Sequence, residues 1–255
     1  MSGHNKWSKI KHTKGKTDAI RGKAFSKAAM DIITAVREGG NEDPALNSRL
    51  RMAIDFAKKV NMPNDNIKRA IERGAGKGEG AQIENIAYEG YAPGGVAMYI
   101  ECMTDNRNRT ASEVRSTIEK NGGNLGTPGS VAFMFSKKGI LEFDSTKTTE
   151  DKLMEVLLDA GAEDIKDNGD GTIDVSCEPG DFEKCVKAAE AAKIPMEKAE
   201  IAFLPTTTAP IADEHSAEKI FNIVDKLEEL EDVQKVYTNA DVSDEIMNAI
   251  AAKQG

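Results

Sequence analysis

The chain has 255 residues, of which 39% are hydrophobic and 30% charged, with a formal net charge of −9. That balance describes a folded, water-soluble protein and excludes an extended disordered one; no run approaches the roughly 18–20 apolar residues of a membrane span, so no membrane partner is expected. The length suits two domains, with one or three also in range.

The charge is unevenly placed. Residues 1–79 hold 17 Lys and Arg against 9 Asp and Glu, whereas residues 80–255 hold 17 against 34. A basic first third on an acidic body predicts a polyanion contacted from one end. The basic charge is densest in "GHNKWSKIKHTKGKTDAIRGKAF", where Lys6, Lys9, Lys11, Lys14, Lys16, Arg21 and Lys23 face one acid, Asp18. The lysines fall two or three apart, so no helix or strand gathers them on one face. That spacing suits phosphate neutralisation without sequence readout. Trp7 and His12 sit among these cations, and Trp7 can stack on an unpaired base, worth ~1–3 kcal/mol where that happens. The plainer alternative is a solvated tail, with Trp7 against the first helix. No signal peptide is expected, because an amphipathic pattern follows where an apolar block would be needed.

Helical spacing begins at once. Ile20, Ala24, Phe25, Ala28, Ile32 and Val36 predict a helix over Thr17 to Glu38, stopped by Gly39-Gly40. Asp43-Pro44 reads as an N-cap with proline at the first helical position, and Leu46, Leu50, Ala53, Ile54, Ala57 and Val60 form the stripe of a second helix. A short third helix follows Met62-Pro63, with Ile67, Ala70 and Ile71 inward. On the polar faces Lys58, Lys59, Lys68, Arg69, Arg73 and Lys77 extend the basic theme; Asp55, Asp65 and Glu72 offer part of them ordinary surface pairing. "GAGKGEG" lacks the Ser or Thr and the preceding strand of a phosphate loop, and reads as a linker.

The period then changes. "VAMYIECMT" predicts a strand, "RTASEVRSTIEKNGG" a helix, "SVAFMFS" and "GILEFD" two further strands, and Glu150 to Ala160 a helix. "DIKDNGDGTIDVSCE" is a hairpin with Asn-Gly and Asp-Gly turns. A helix over Asp181 to Lys193 and the strand "AEIAFLP" complete a β-α-β-β-α-β string, the order of the ferredoxin-like unit. A helix near Ser216 to Leu230 and the strand "VQKVYTN" are too little to fold alone and complete the β-α-β begun at Val96. The expected architecture is α+β in three domains: a helical bundle with its basic arm (1–79), a discontinuous α+β domain (80–137 plus 206–255), and a ferredoxin-like α+β domain inserted in it (138–205).

Thr110 with Glu113 three residues on reads as a capping box, which starts a helix just after Arg109. Helix N-termini normally attract acids, yet Arg107 and Arg109 crowd this one. Two readings fit: an external anion resting there, or a salt bridge to Asp105 or a neighbouring acidic domain. "NGGNLGTPGS" reads as a turn. The three histidines belong to no ligand spacing, Cys102, Cys177 and Cys185 show no CxxC, and "KDNGDG" fails as a calcium loop at both ends. No enzyme, metal, cofactor or small-molecule substrate is therefore expected, and the unpaired cysteines suit a reducing cytoplasm.

Several long blocks carry a resemblance: "GHNKWSKIKH", "RGKAF", "MPNDNIKRAIERG", "YEGYAPGGVAMYIECMTDNRNRTASEVR" and "GGNLGTPGSVAFMF". In these the chain resembles the YebC family, over nearly its full length. It departs at "HTKGKTDAIRGK", where such proteins often carry more basic and alanine-rich text. The resemblance implies a helical bundle with two α+β domains, the last inserted in the middle one, and a non-enzymatic regulator of gene expression. Family labels point to DNA and transcription, organellar relatives to the ribosome and translation. The break "EGGNED" between the first two helices gives no helix-turn-helix pair, and a Lys-rich arm with one aromatic suits shaped RNA. Ribosomal RNA is thus the first expected partner, duplex DNA the second, a protein partner of the acidic domain the third, and the chain is expected to be a monomer. The expected contacts are Lys6, Trp7, Lys9, Lys11, His12, Lys14, Lys16, Arg21, Lys23, Arg69, Arg73, Arg107 and Arg109.

Overall fold

The computed structural model describes residues 18–77 and 83–254. Three helices come first, α1 (Asp18–Gly39), α2 (Ser48–Lys59) and α3 (Asn64–Gly74). Their inward stripes, among them Ala28, Ile32 and Val36 with Leu50, Ile54, Ile67 and Ala70, close one buried cluster. At the crossing of α1 and α3, Gly74 comes so near that a Cβ on it would stand 2.8 Å from the Val36 Cβ.

The start of α2 departs from expectation. Asp43 makes a turn instead of a cap: its Oδ1 accepts from the Ala45 N–H at 2.9 Å and its carbonyl from the Leu46 N–H at 3.0 Å. Asn47 caps the helix. Its Oδ1 accepts from the Leu50 N–H at 2.9 Å while its Nδ2 donates to the carbonyls of Ala35 and Asn41 at 2.8 and 2.9 Å. A buried amide satisfied on both ends outcompetes an exposed aspartate, and Leu46, expected in the stripe, is left 67% exposed.

After residue 83 the chain builds two sheets. β1 (Glu84–Ala92), β2 (Val96–Thr104), α4 (Arg107–Lys120), β3 (Asn124–Leu125), β4 (Phe135–Asp144), α5 (Glu150–Leu157), β5 (Ala162–Asp167), β6 (Thr172–Cys177), α6 (Phe182–Ala191) and β7 (Met196–Pro205) follow in order. The remainder is β8 (Ala209–Ile211), α7 (Glu214–Glu228), β9 (Val233–Thr238), β10 (Ala240–Val242) and α8 (Asp244–Gln254). The first sheet has the order β3-β1-β2-β9 and the second β5-β6-β4-β7, both antiparallel throughout; β8 and β10 form a small parallel pair. β9 thus returns to the sheet that β2 began, after the whole second sheet has been made.

Each sheet has its own core. On the first, Val114 and Ile118 of α4 and Phe221 and Val224 of α7 cover Met98 and Ile100. On the second, Leu153 and Leu157 of α5 and Cys185 and Val186 of α6 cover Leu141, Phe143 and Val175. The opposite face of the first sheet meets the second through an aromatic seam. Tyr99 and Phe203 have ring centroids 4.5 Å apart, and Phe203 meets Tyr237 edge-on at 5.5 Å. The architecture is α+β, a helical region followed by two sheet-and-helix regions.

Candidate nucleic-acid interface

The arm residues Lys6, Trp7, Lys9, Lys11, His12, Lys14 and Lys16 lie outside the described residues. Arg21 and Lys23 fall on the first turns of α1. Beyond them, α1 and α3 together shape an open groove of about 300 Å³. Its floor is apolar: Phe25, Ala29 and Ile33, one turn apart along α1, with Met62 and Ala70. Ser26, Asn66, Arg69 and Arg73 line its edge, and no acid is among the lining residues. Arg69 and Arg73 share one face because four residues separate them on α3. Arg69 is pre-oriented, donating from Nη2 to Asn66 Oδ1 at 2.8 Å and from Nε to the Asp65 carbonyl at 3.3 Å. Arg73 is exposed, and its side chain makes no hydrogen bond or ion pair among the described residues.

Arg107 and Arg109 stand apart from that groove, at the start of α4. The expected capping box does not form. Asn106 is the cap, its Oδ1 accepting from the Arg109 N–H at 3.1 Å, so both arginines lie inside the first turn. Thr110 is turned inward, where its Oγ1 donates to Asp232 Oδ2 at 2.7 Å. The first turn carries no acid of its own, and β9's approach supplies one from far along the chain. Arg109 donates to both carboxylate oxygens of Asp232, from Nη2 at 2.9 and 2.8 Å, and to Asp105 Oδ1 at 3.1 Å. The hydrogen bonds to Asp232 raise its already high pKa further. Asp232 is 7% exposed and Arg109 45%, so the guanidinium has one edge left for solvent or a ligand. Arg107 is freer, with only a 3.5 Å approach to Glu84, both side chains being exposed.

Sequence reasoning missed the role of Glu89 altogether. This acid is buried in β1, and its carboxylate accepts from the N–H groups of Gly129, Val131 and Ala132 at 2.6, 2.7 and 2.8 Å. Burial alone would raise its pKa, but the three donors outweigh burial and hold it below the usual carboxylate value. The "GTPGS" turn is thus pinned from inside, with Tyr91 Oη donating to the Ser130 carbonyl at 2.9 Å. The local signal was weak, an acid beside Gly90 where alternation breaks down, and its partners lie some forty residues on.

Where α1, the first sheet and the second sheet meet there is a polar cavity of about 230 Å³, edged by Asp31, Arg49, Glu101 and Lys235. Glu200 lies beside it, paired with Lys198 at 2.8 Å and with Lys235. Burial would raise its pKa; Lys235 and Lys198 instead pull it down to about 2. Asp31 goes the other way, raised chiefly by burial, with Lys235, Arg49 and Lys27 opposing and Glu200 reinforcing. Among the described residues no group of three His, Cys, Asp or Glu side chains could hold a metal ion, and no helix is long and apolar enough to cross a membrane.

Two family models match: the TACO1/YebC protein N-terminal domain over residues 5–77, and the TACO1/YebC second and third domain over residues 83–240. A protein of Shewanella oneidensis named "Probable transcriptional regulatory protein" is 52% identical, over 98% of this chain and 100% of its own. One of the same name from Halothermothrix orenii is 48% identical over 98% and 99%. A crystal structure of a conserved hypothetical protein from Aquifex aeolicus superposes with a TM-score of 0.79 at 45% identity, covering 92% of this chain and 96% of that one.

Proposed function

The chain belongs to the TACO1/YebC family, and from that premise we propose that it is a non-enzymatic regulator of gene expression that works by binding nucleic acid through its basic first third. The observation that carries this reading is the acid-free groove between α1 and α3, with Arg69 and Arg73 exposed at its edge, on a protein of net charge −9. The lysine-rich arm is joined to the same region through α1. Phosphates would be held by the arm, Arg69 and Arg73, with Arg107 as a second anchor and the free edge of Arg109 beside it. The second sheet and its two helices, in the order β5-β6-β4-β7, we read as a ferredoxin-like unit set into the other α+β domain.

Two targets remain in play, each with its own support. The relatives' names speak of transcription and so favour duplex DNA. Ribosomal RNA is supported by the lysine spacing of the arm, which lacks any pattern for reading base edges.

The test uses the full chain. Co-sedimentation with ribosomes at low salt, lost when residues 3–16 are deleted, would support the RNA target. A DNA sequence preferred over bulk DNA by at least ~10³ at physiological salt would support the DNA target. Binding to neither would overturn the function.

A further inference from the structure

The groove between α1 and α3 differs from the cavity at the sheet junction in a way that specifies an occupant. The cavity at the sheet junction is lined by acids and bases in equal number, with Arg49 paired to Glu38 across it and Lys235 paired to Glu200 beside it. The α1–α3 groove has an apolar floor and two arginines at its edge, with no acid. A basic peptide segment is repelled there, and an acidic one would leave the apolar floor uncovered unless it also carried a flat, apolar group. A nucleotide has both parts in one unit, a planar base and an anionic phosphate. The floor includes one aromatic ring, Phe25, and small neighbours, Ala29 and Ala70, which leave space above a flat ligand. Arg69 is held in place by Asn66 and Asp65, so little freedom is lost when it takes a phosphate.

We propose that this groove takes a single unpaired nucleotide, its base against Phe25, Ala29 and Met62 and its phosphate on Arg69 and Arg73. The inference rests on the nucleic-acid reading above and sharpens it. A base can reach the floor only if it leaves its stack, so the protein prefers a bulge, loop or end over a continuous duplex of equal charge. Base stacking on an aromatic is tolerant of sequence, so the preference is for an unpaired position, not for one base. The groove opens a few residues along α1 from Arg21 and Lys23.

The experiment measures binding of the full chain to four oligonucleotides: a paired RNA, the same RNA with one 2-aminopurine bulge, and the two DNA equivalents. The expected result is at least ~10-fold tighter binding of a bulged strand and a change in 2-aminopurine fluorescence on binding. Two substitutions report on the groove. Ser26→Trp fills it without changing charge, and should abolish the bulge preference. Arg73→Gln, on the exposed surface, should weaken the bulged strand more than the paired one. Equal binding of bulged and paired strands, or a preference that survives both substitutions in proteins of unchanged melting temperature, overturns the inference while leaving the nucleic-acid reading standing. No binding of any of the four at low salt removes that reading and this one with it. Preference for the RNA or the DNA bulge assigns the source.

Discussion

Glu89 and Glu200 are both acids held below their ordinary pKa by what surrounds them, and each makes a prediction. Replacing Glu89 by Gln removes the charge that three backbone donors share. The expected cost is about 1–3 kcal/mol, with faster amide exchange at Gly129, Val131 and Ala132 measured by hydrogen–deuterium mass spectrometry. For Glu200, the folded pKa of about 2 lies below the ordinary value of 4.5. Its contribution is therefore present above pH 4.5 and is lost as pH falls toward 2, on the order of 3 kcal/mol in full. Glu200→Gln should flatten that limb of the stability–pH curve. Asp31 carries the opposite sign. Its pKa is raised on folding, so it favours the folded state least where it is ionised. Asp31→Asn is expected to raise the melting temperature at pH 7, with the gain shrinking as pH falls toward the ordinary carboxylate value. An unchanged melting temperature at pH 7 would show that Lys235, Arg49 and Lys27 fully offset its burial.

Two elements depend on contacts that local sequence does not announce, and they show where sequence reading succeeds. α1 and α3 were legible from their apolar stripes, because burial follows helical spacing directly. α2's register was also legible but its first turn was not, since the cap depends on what Asn47 finds in the carbonyls of α1. At α4 the cap moved from Thr110 to Asn106 because Asp232, more than a hundred residues away, claims the threonine hydroxyl. β1 was missed because Glu84, Glu89 and Gly90 dilute its alternation, and Glu89 is polar for a reason visible only in three dimensions. β4 runs unbroken through Lys137, Lys138 and Gly139, where two shorter strands were expected; Lys138 is held there by Glu163 at 2.6 Å and by Glu178. β8, β10 and α8 are short additions that carry little periodic signal. As for the candidate contacts, the cations of α3 could be read from sequence, whereas the acid-free groove they edge could not. The crossing at Gly74 is the sharpest test at this scale. In an open helix Gly→Ala is favourable by up to ~1 kcal/mol. Here the new methyl meets the Val36 Cβ at 2.8 Å and the Ile33 carbonyl at 3.1 Å, so Gly74→Ala should destabilise by about 1–3 kcal/mol, read from urea unfolding. A neutral or stabilising result would mean that α3 can slide on α1.

At the scale of the whole molecule, charge separation governs how the protein meets a polyanion. Residues 80–255 carry twice as many acids as bases, so a long nucleic acid can lie along the basic end but is repelled from most of the rest, outside the second anchor at Arg107 and Arg109. Binding should therefore be steeply salt-dependent, and the slope counts the contacts. Each phosphate neutralised contributes about 0.9 to the log–log slope on a duplex and about 0.7 on a single strand. Deleting residues 3–16 removes Lys6, Lys9, Lys11, Lys14 and Lys16, which caps the loss of slope at about 4.5 on a duplex and about 3.5 on a single strand. Arg73→Gln removes one further cation, for a loss of up to about 0.7–0.9. If arm and groove engage one continuous strand, the two losses add, because each deletes its own phosphate contacts. If they engage separate molecules, or only the arm binds, the Arg73 substitution leaves the slope of the arm-dependent complex where it was. Fluorescence anisotropy across a salt series with wild type, the two variants and their combination measures all four slopes, and a combined slope equal to that of the arm deletion alone would separate the groove from the arm.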